Sequence, residues 1–198
     1  MRKKSSLWLI GLLFFVACSP RDFLTRRLAA DLIAASDGFK IPQQFVLQTG
    51  IVSSKDYAAP EYLVLQHHGW ISATTANCPQ GMVPPPCWDV LLTPSGVETV
   101  RAILPAQEAD KLSFALPVAT RELAAVTGIS KQGNGADVDF TWRWVPLNEV
   151  GAALYPSDLH YTSTVAFRKY DDGWRVVQTN PHTGQTLDDA LKNAEPVP

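Results

Sequence analysis

Residues 70–96 of the chain read WISATTANCPQGMVPPPCWDVLLTPSG. The residues from Trp70 onward and the run 88–92 are rich in β-branched and aromatic side chains, which favours two strands. A proline-rich segment flanked by two cysteines separates them, as expected of a closed loop. Thr93, followed by a proline and a glycine, is typical of a helix start. The stretch therefore predicts a β-hairpin, closed across its loop, that runs into a helix.

The N-terminal segment has the composition of a targeting signal. An apolar run over 7–17, LWLIGLLFFVA, follows the basic residues Arg2, Lys3 and Lys4. This run is too short to span a membrane, which needs about 20 apolar residues. We therefore expect 1–17 to be a signal peptide, and removing its three cations changes the formal net charge from −2 to −5.

The end of the apolar run, Phe15-Val16-Ala17-Cys18, resembles the lipobox of bacterial lipoproteins. It departs from that family at Phe15, where Leu is usual. The resemblance implies that Cys18 carries lipid, palmitate included, and that residues 18–24 are a lipidated N-terminus and tether. Ser19 implies an outer-membrane location facing the periplasm. An ordinary cleaved signal peptide is the alternative.

Two of the three cysteines remain once Cys18 is assigned to lipid. An exported protein meets an oxidising compartment, so we expect Cys78 and Cys87 to form a disulfide. A metal site is a poor alternative because the only nearby histidines, His67 and His68, are adjacent and point about 100° apart on a helix. We expect no metal and no cofactor.

The residues before the hairpin predict two helices and an extended segment. Thr25 is a suitable N-cap for a helix over 26–35, whose apolar residues share one face. Residues 40–50 are expected to be extended. Pro60 opens a second helix that ends near His68, and Gly69 is a suitable residue just past its end.

Residues 60–104 resemble a winged-helix domain. The resemblance rests on Leu-x-x-x-Gly-Trp-Ile at 65–71 and on Trp-Asp-Val-Leu-Leu-Thr-Pro-Ser-Gly at 88–96. It implies a helix, two wing strands and a further helix over 97–104, within a winged-helix-like unit over 25–104. Winged-helix domains usually bind DNA, but residues 56–100 contain no Lys or Arg to displace phosphate counterions. We therefore expect no nucleic acid partner and a protein-binding or packing role instead.

The loop between the cysteines is the candidate partner-binding site. Three prolines and a disulfide make it stiff, so little conformational entropy is lost on binding. Its candidate contact residues are Met82, Val83, Pro84, Pro85 and Pro86. A packed structural loop is the alternative.

The second half predicts an antiparallel β-meander. Residues 105–111 form a polar linker, a sheet unit follows over 112–182, and 183–198 form a polar tail with a helical turn at 187–191. Residues 118–129 have strand character, and 136–145 alternate strictly between apolar and polar side chains. Further strands are expected at 161–170 and 174–178, with a short helix at 149–154.

One face of this sheet carries a row of aromatic side chains. These are the candidate ligand-lining residues Phe140, Trp142, Trp144, Phe167 and Trp174. They form either a hydrophobic core or a pocket for a small molecule or lipid. On the opposite face, Asp139, Arg143 and Glu122 are expected to meet across strands as solvated ion pairs.

The sequence contains no G-x-S-x-G motif of serine hydrolases, no H-E-x-x-H motif of metalloproteases and no P-loop or G-x-G-x-x-G nucleotide-binding motif. We therefore expect a protein that is not an enzyme. The fold class expected is α+β: a small helical unit with a disulfide-closed hairpin, then a β-meander with a short helix. The function expected is a non-catalytic, protein-binding or structural lipoprotein of the bacterial cell envelope. A ligand-binding lipoprotein that uses the aromatic face is the second hypothesis, and a hydrolase is the third.

Overall fold

The computed structural model describes residues 23–80, 85–104, 112–181 and 183–197, and these residues form an α+β fold. The helices are α1 (Arg26–Ala34), α2 (Asp37–Lys40), α3 (Ser54–Tyr57), α4 (Pro60–His67), α5 (Pro94–Ile103), α6 (Glu149–Leu154) and α7 (Leu187–Lys192). The strands are β1 (Gln43–Gln48), β2 (Gly50–Ser53), β3 (Ile71–Ala76), β4 (Cys87–Leu92), β5 (Ser113–Gln132), β6 (Gly135–Pro146), β7 (His160–Tyr170), β8 (Gly173–Val176) and β9 (Glu195–Val197).

The larger sheet is antiparallel and has the order β1-β5-β6-β7-β8, with β9 also paired to β7. The β5–β8 part confirms the predicted meander. The long strand β5 is displaced in register against β6 between Leu123 and Ala125 and between Val126 and Gly128. Such bulges increase the local twist, which accounts for the curl of the sheet. Strand β1 comes from the first half of the chain and pairs with β5.

The smaller sheet has the order β2-β4-β3, and its β3–β4 hairpin is the one that the sequence predicts. The disulfide between Cys78 and Cys87 is confirmed, with 5.1 Å between the Cα atoms. The predicted helix starts are also confirmed: Thr25 accepts a hydrogen bond from the Leu28 amide, and Pro60 is the first residue of α4. Gly69 follows α4 with a φ of +71°, which glycine adopts without strain.

Two hydrophobic cores hold the elements together. The first lies between one face of the larger sheet and the helices α1, α2 and α7. The second joins α4, α5, α6 and the smaller sheet to β1 and the first residues of β5. Each core therefore contains residues from both halves of the chain. The predicted helical turn near the C-terminus is confirmed as α7, whose Leu187 and Leu191 are buried in the first core.

Two helices begin against a strand in the same way. Thr93 caps α5 by accepting a hydrogen bond from the Gly96 amide, and Asn148 caps α6 by accepting one from the Gly151 amide. A Cβ on Gly96 would lie 1.8 Å from the carbonyl oxygen of Trp70, and one on Gly151 would lie 1.8 Å from that of Val118. Both corners therefore require a residue without a side chain.

Candidate functional site

The base of the disulfide-closed loop is held firmly by its neighbours. Cys87 is fully buried, whereas Pro85 and Pro86 are exposed. The hydroxyl of Ser54, in α3, donates a hydrogen bond to the carbonyl oxygen of Pro86. The other predicted contact residues, Met82, Val83 and Pro84, lie outside the described residues.

Aromatic packing makes the platform under this loop rigid. The Tyr57 ring stacks on Trp88 of β4 at 4.7 Å and meets Tyr62 edge to face at 5.7 Å. The Tyr57 hydroxyl donates to Oε1 of Gln66 at 2.6 Å. The Tyr62 hydroxyl bonds the backbone of Gln48, and burial raises the pKa of Tyr62. These contacts fix the position of Pro86 and Trp88, at the base of the loop.

The outer face of the smaller sheet carries exposed aliphatic side chains. Val52 and Val90 point into the second core, so their neighbours Ile51 and Leu91 point outward. Leu91 is 55% exposed and Ile51 is 39% exposed. The register pairs Ile51 with Asp89, two residues before Leu91, so the aliphatic side chains are diagonal neighbours on adjacent strands. We call this surface, Ile51 and Leu91 with Pro85 and Pro86 of the loop, the hairpin face.

The predicted aromatic row is part of the first core. Phe140, Trp142, Trp144, Phe167 and Trp174 are all at most 8% exposed, beneath α1, α2 and α7. Trp142 donates from Nε1 to the Ser163 hydroxyl at 3.0 Å, and that hydroxyl donates to the carbonyl oxygen of Ala190 at 3.0 Å. The row thus fills the interior rather than lining an open pocket.

Arg121 is the one arginine among the described residues that lies in the interior, and no sequence motif marks it. Its guanidinium carbon lies 4.5 Å from the ring centre of Trp144 and 5.4 Å from that of Trp142. Its Nη1 donates to the carbonyl oxygen of Gly38 at 2.8 Å. Strand alternation could have identified it, because Arg121 lies two residues after the buried Ala119 and therefore on the same, inward-facing side of β5.

A cavity of about 290 Å³ opens next to Arg121, between α2, β1, β5 and α7. Its wall combines charged, amide and apolar groups. The lining residues besides Arg121 are Asp37, Gly38, Ile41, Pro42, Gln43, Gln44, Gln178, Leu187 and Asp188. Such a mixed lining is able to orient a small polar molecule while it covers the molecule's apolar part.

The remaining candidate groups have structural partners. Arg143 and Glu122 form the expected cross-strand ion pair at 2.7 Å, while Asp139 accepts a hydrogen bond from the Thr164 hydroxyl instead. The His68 ring stacks on Trp70 at 4.7 Å. Within the described ranges, no three His, Cys, Asp or Glu residues are arranged to hold a metal ion.

In that part of the chain, too, no helix is long and apolar enough to cross a bilayer. Comparisons of the chain with protein-family models, with curated proteins and with solved structures found no significant match.

Proposed function

We propose that this protein is an exported, lipid-anchored protein of the bacterial cell envelope that binds another envelope protein and catalyses no reaction. The export and anchoring parts rest on the signal-like residues 1–17 and on the lipobox-like Cys18, which lies outside the described residues. The disulfide between Cys78 and Cys87 supports an oxidising compartment.

The observation that carries the binding part is the hairpin face. It places two exposed aliphatic side chains, Ile51 and Leu91, on the same sheet as a proline-rich loop that a disulfide closes. Preorganised apolar surface of this kind favours association because little entropy is lost when it is covered. The order α4, β3, β4, α5 supports a winged-helix-like arrangement over 60–104, used here as a protein-binding scaffold.

Charge indicates what kind of partner the hairpin face accepts. Residues 56–100 contain four carboxylates and no Lys or Arg. Of these, Asp89 pairs with Ile51 and so places a carboxylate on the hairpin face, which favours a partner with a basic group beside its apolar contact. The aromatic row is not part of this proposal, because its side chains fill the core.

The test is crosslinking in intact cells, followed by recovery of the lipidated protein in detergent. We expect Leu91→Asp, and separately Met82→Asp combined with Val83→Ser, to reduce recovery of a near-stoichiometric partner at least about tenfold, which corresponds to about 1.4 kcal/mol. Leu63→Asp is the matched control, because Leu63 is also 55% exposed but lies on α4. Equal recovery with the Leu91 variant and the wild type would contradict the proposed contact.

The same cells test the anchor. Labelled palmitate is expected on the wild-type protein and not on Cys18→Ser, which should leave the membrane fraction. A Cys18→Ser protein that keeps both the label and the membrane location would overturn the lipidation.

A further inference from the structure

The strand β3 is an open edge of the smaller sheet. Among the described residues it pairs with β4 and with no other strand. Its register against β4 is regular over its six residues, and the segment, ISATTA, contains no charged residue and no proline. Ser72, Thr74 and Thr75 are exposed. Proteins usually protect such an edge with a charge, a proline, a bulge or a cover, because its free backbone groups are a template for another strand.

The other sheet edges are short or partly blocked. At the edge strand β1, the Tyr62 hydroxyl accepts from the amide of Gln48 and donates to its carbonyl oxygen. The side chain of Gln43 donates to the carbonyl oxygen of Gln44 on the same strand. Strands β2 and β8 have four residues each, and β8 includes the exposed Arg175. The three-residue β9 contains a glutamate and a proline. In the part of the chain that the structure describes, β3 is therefore the longest unblocked edge.

The hydrogen-bond pattern of the hairpin identifies the free groups of β3. Thr93, directly after β4, donates from its amide to the carbonyl oxygen of Trp70 at 3.0 Å, so these two residues form a bonded pair. Bonded and non-bonded pairs alternate along an antiparallel ladder. Every second residue after Trp70 is therefore bonded to β4, and the amide and carbonyl groups of Ala73 and Thr75 point away from it. No hydrogen bond from elsewhere in the described ranges reaches these groups.

We propose that β3 pairs with β3 of a second copy of this chain, antiparallel and about a two-fold axis at Thr74. In this register Ala73 of each copy lies opposite Thr75 of the other, so the free amide and carbonyl groups of both residues are all hydrogen-bonded. Ile71, at the start of the strand, is only 2% exposed, and this register does not use its backbone groups. The two smaller sheets then form one continuous antiparallel sheet.

The side chains of β3 suit a copy of the same strand. Thr74 lies opposite Thr74 of the other copy, and threonine pairs of this kind stabilise neighbouring strands. Because β3 has no charged side chain, the two-fold axis places no like charges opposite each other. Asp89 pairs with Thr74 from β4, so the Asp89 residues of the two copies are three strand spacings, about 14 Å, apart and largely screened. A single strand pair buries little surface, so we expect a reversible dimer. The proposal depends neither on the lipid anchor nor on the partner of the hairpin face.

Cysteine crosslinking of the full chain in intact cells tests the two-fold register. Opposite residues of a non-bonded antiparallel pair have Cα atoms about 4.5 Å apart, within the range of a disulfide. We expect Thr74→Cys to give at least about tenfold more disulfide-linked dimer than Ser72→Cys, an equally exposed position whose copies lie about 14 Å apart. Peptide mapping checks that the dimer is linked at position 74 and that Cys78 and Cys87 stay paired. No dimer linked at position 74, or as much dimer from Ser72→Cys, would overturn the proposal.

Two proline variants test the backbone hydrogen bonds. Ala73→Pro removes a free amide and leaves the β3–β4 ladder intact, because that amide points away from β4. Added to Thr74→Cys, we expect it to reduce the crosslinked dimer at least about tenfold. Val46→Pro is the matched control: Thr49 donates to the carbonyl oxygen of Leu112, so by the same alternation the Val46 amide points away from β5. It should leave the yield of dimer unchanged.

Near-ultraviolet circular dichroism checks that both proline variants are folded. An unchanged yield of dimer with a folded Ala73→Pro variant would overturn the proposal. Thr74→Cys changes only an exposed side chain, so its comparison with Ser72→Cys decides the question by itself if the Ala73 variant does not fold.

Discussion

At the scale of single residues, Gly96 and Gly151 are required for steric reasons and not for their backbone conformation. Neither glycine has a positive φ, so an alanine would be conformationally acceptable. The obstacle is a backbone carbonyl oxygen 1.8 Å from the position of a Cβ, which is far inside van der Waals contact. Because that oxygen is a backbone atom, of Val118 within β5 or of Trp70 directly before β3, it cannot turn aside as a flexible side chain could.

We expect Gly96→Ala and Gly151→Ala each to lower the free energy of unfolding by about 2–3 kcal/mol, since the helix must shift away from the strand. Urea unfolding measures the change. Ser95→Ala, at an exposed neighbouring position of α5, is the control and should change stability by less than about 0.5 kcal/mol. Stability within that range for the Gly96 variant would show that the corner can open at little cost.

At the scale of elements, the hairpin β3–β4 is held both by contacts within itself and by contacts with segments distant in the sequence. Its register pairs Ala76 with Cys87 at the loop end, and β2 pairs with the other side of β4. The disulfide fixes the loop at that end, while the aromatic stack of Tyr57 on Trp88 fixes the sheet against α3. The strands that carry Ile51 and Leu91 are therefore held in place by contacts within the protein.

We expect Cys78→Ala combined with Cys87→Ala to lower the free energy of unfolding by about 2.5–3 kcal/mol, because the unfolded chain regains the entropy of the open loop. Urea unfolding with and without reductant measures it. Reduction should destabilise the wild type by a similar amount and leave the double variant unchanged. A wild type whose stability survives proven reduction would contradict the expectation.

At the scale of the whole molecule, the C-terminal segment completes the first core. Leu191 of α7 is 2% exposed, and a Cβ on Gly38 of α2 would lie 2.8 Å from its Cδ1. Strand β9 pairs with β7 beyond it. Residues more than 140 positions apart in the chain thus meet at the wall of the Arg121 cavity.

We expect Leu191→Ala to lower the free energy of unfolding by about 2–5 kcal/mol, because it leaves a void between α7 and α2. Thermal and urea unfolding measure the loss. Leu63→Ala removes the same atoms from an exposed position and should have a much smaller effect. Equal effects of the two variants would mean that α7 does not hold the core.

Much of the secondary structure follows from the sequence alone, because its causes lie within a few residues. The alternation over 136–145 identifies β6, and Thr25, Pro60 and Thr93 mark helix starts. The pairing of Cys78 with Cys87 follows from their number and spacing. Strand limits are less exact: β5 extends over Ser113–Gln132, beyond the predicted 118–129, since pairing with β1 and β6 prolongs it.

Only the tertiary structure decides which of these elements meet. The pairing of β1 with β5 joins segments about 70 residues apart, and no local pattern specifies it. The position of Arg121 between the tryptophans and Gly38 depends on that sheet and on α2 packing against it. The sequence determined the elements and their caps through short-range hydrogen bonds and periodicity. The tertiary structure decided that the aromatic row is buried and that the cavity forms. Both depend on distant segments that bury their apolar surface together, which is a cooperative property of the whole chain.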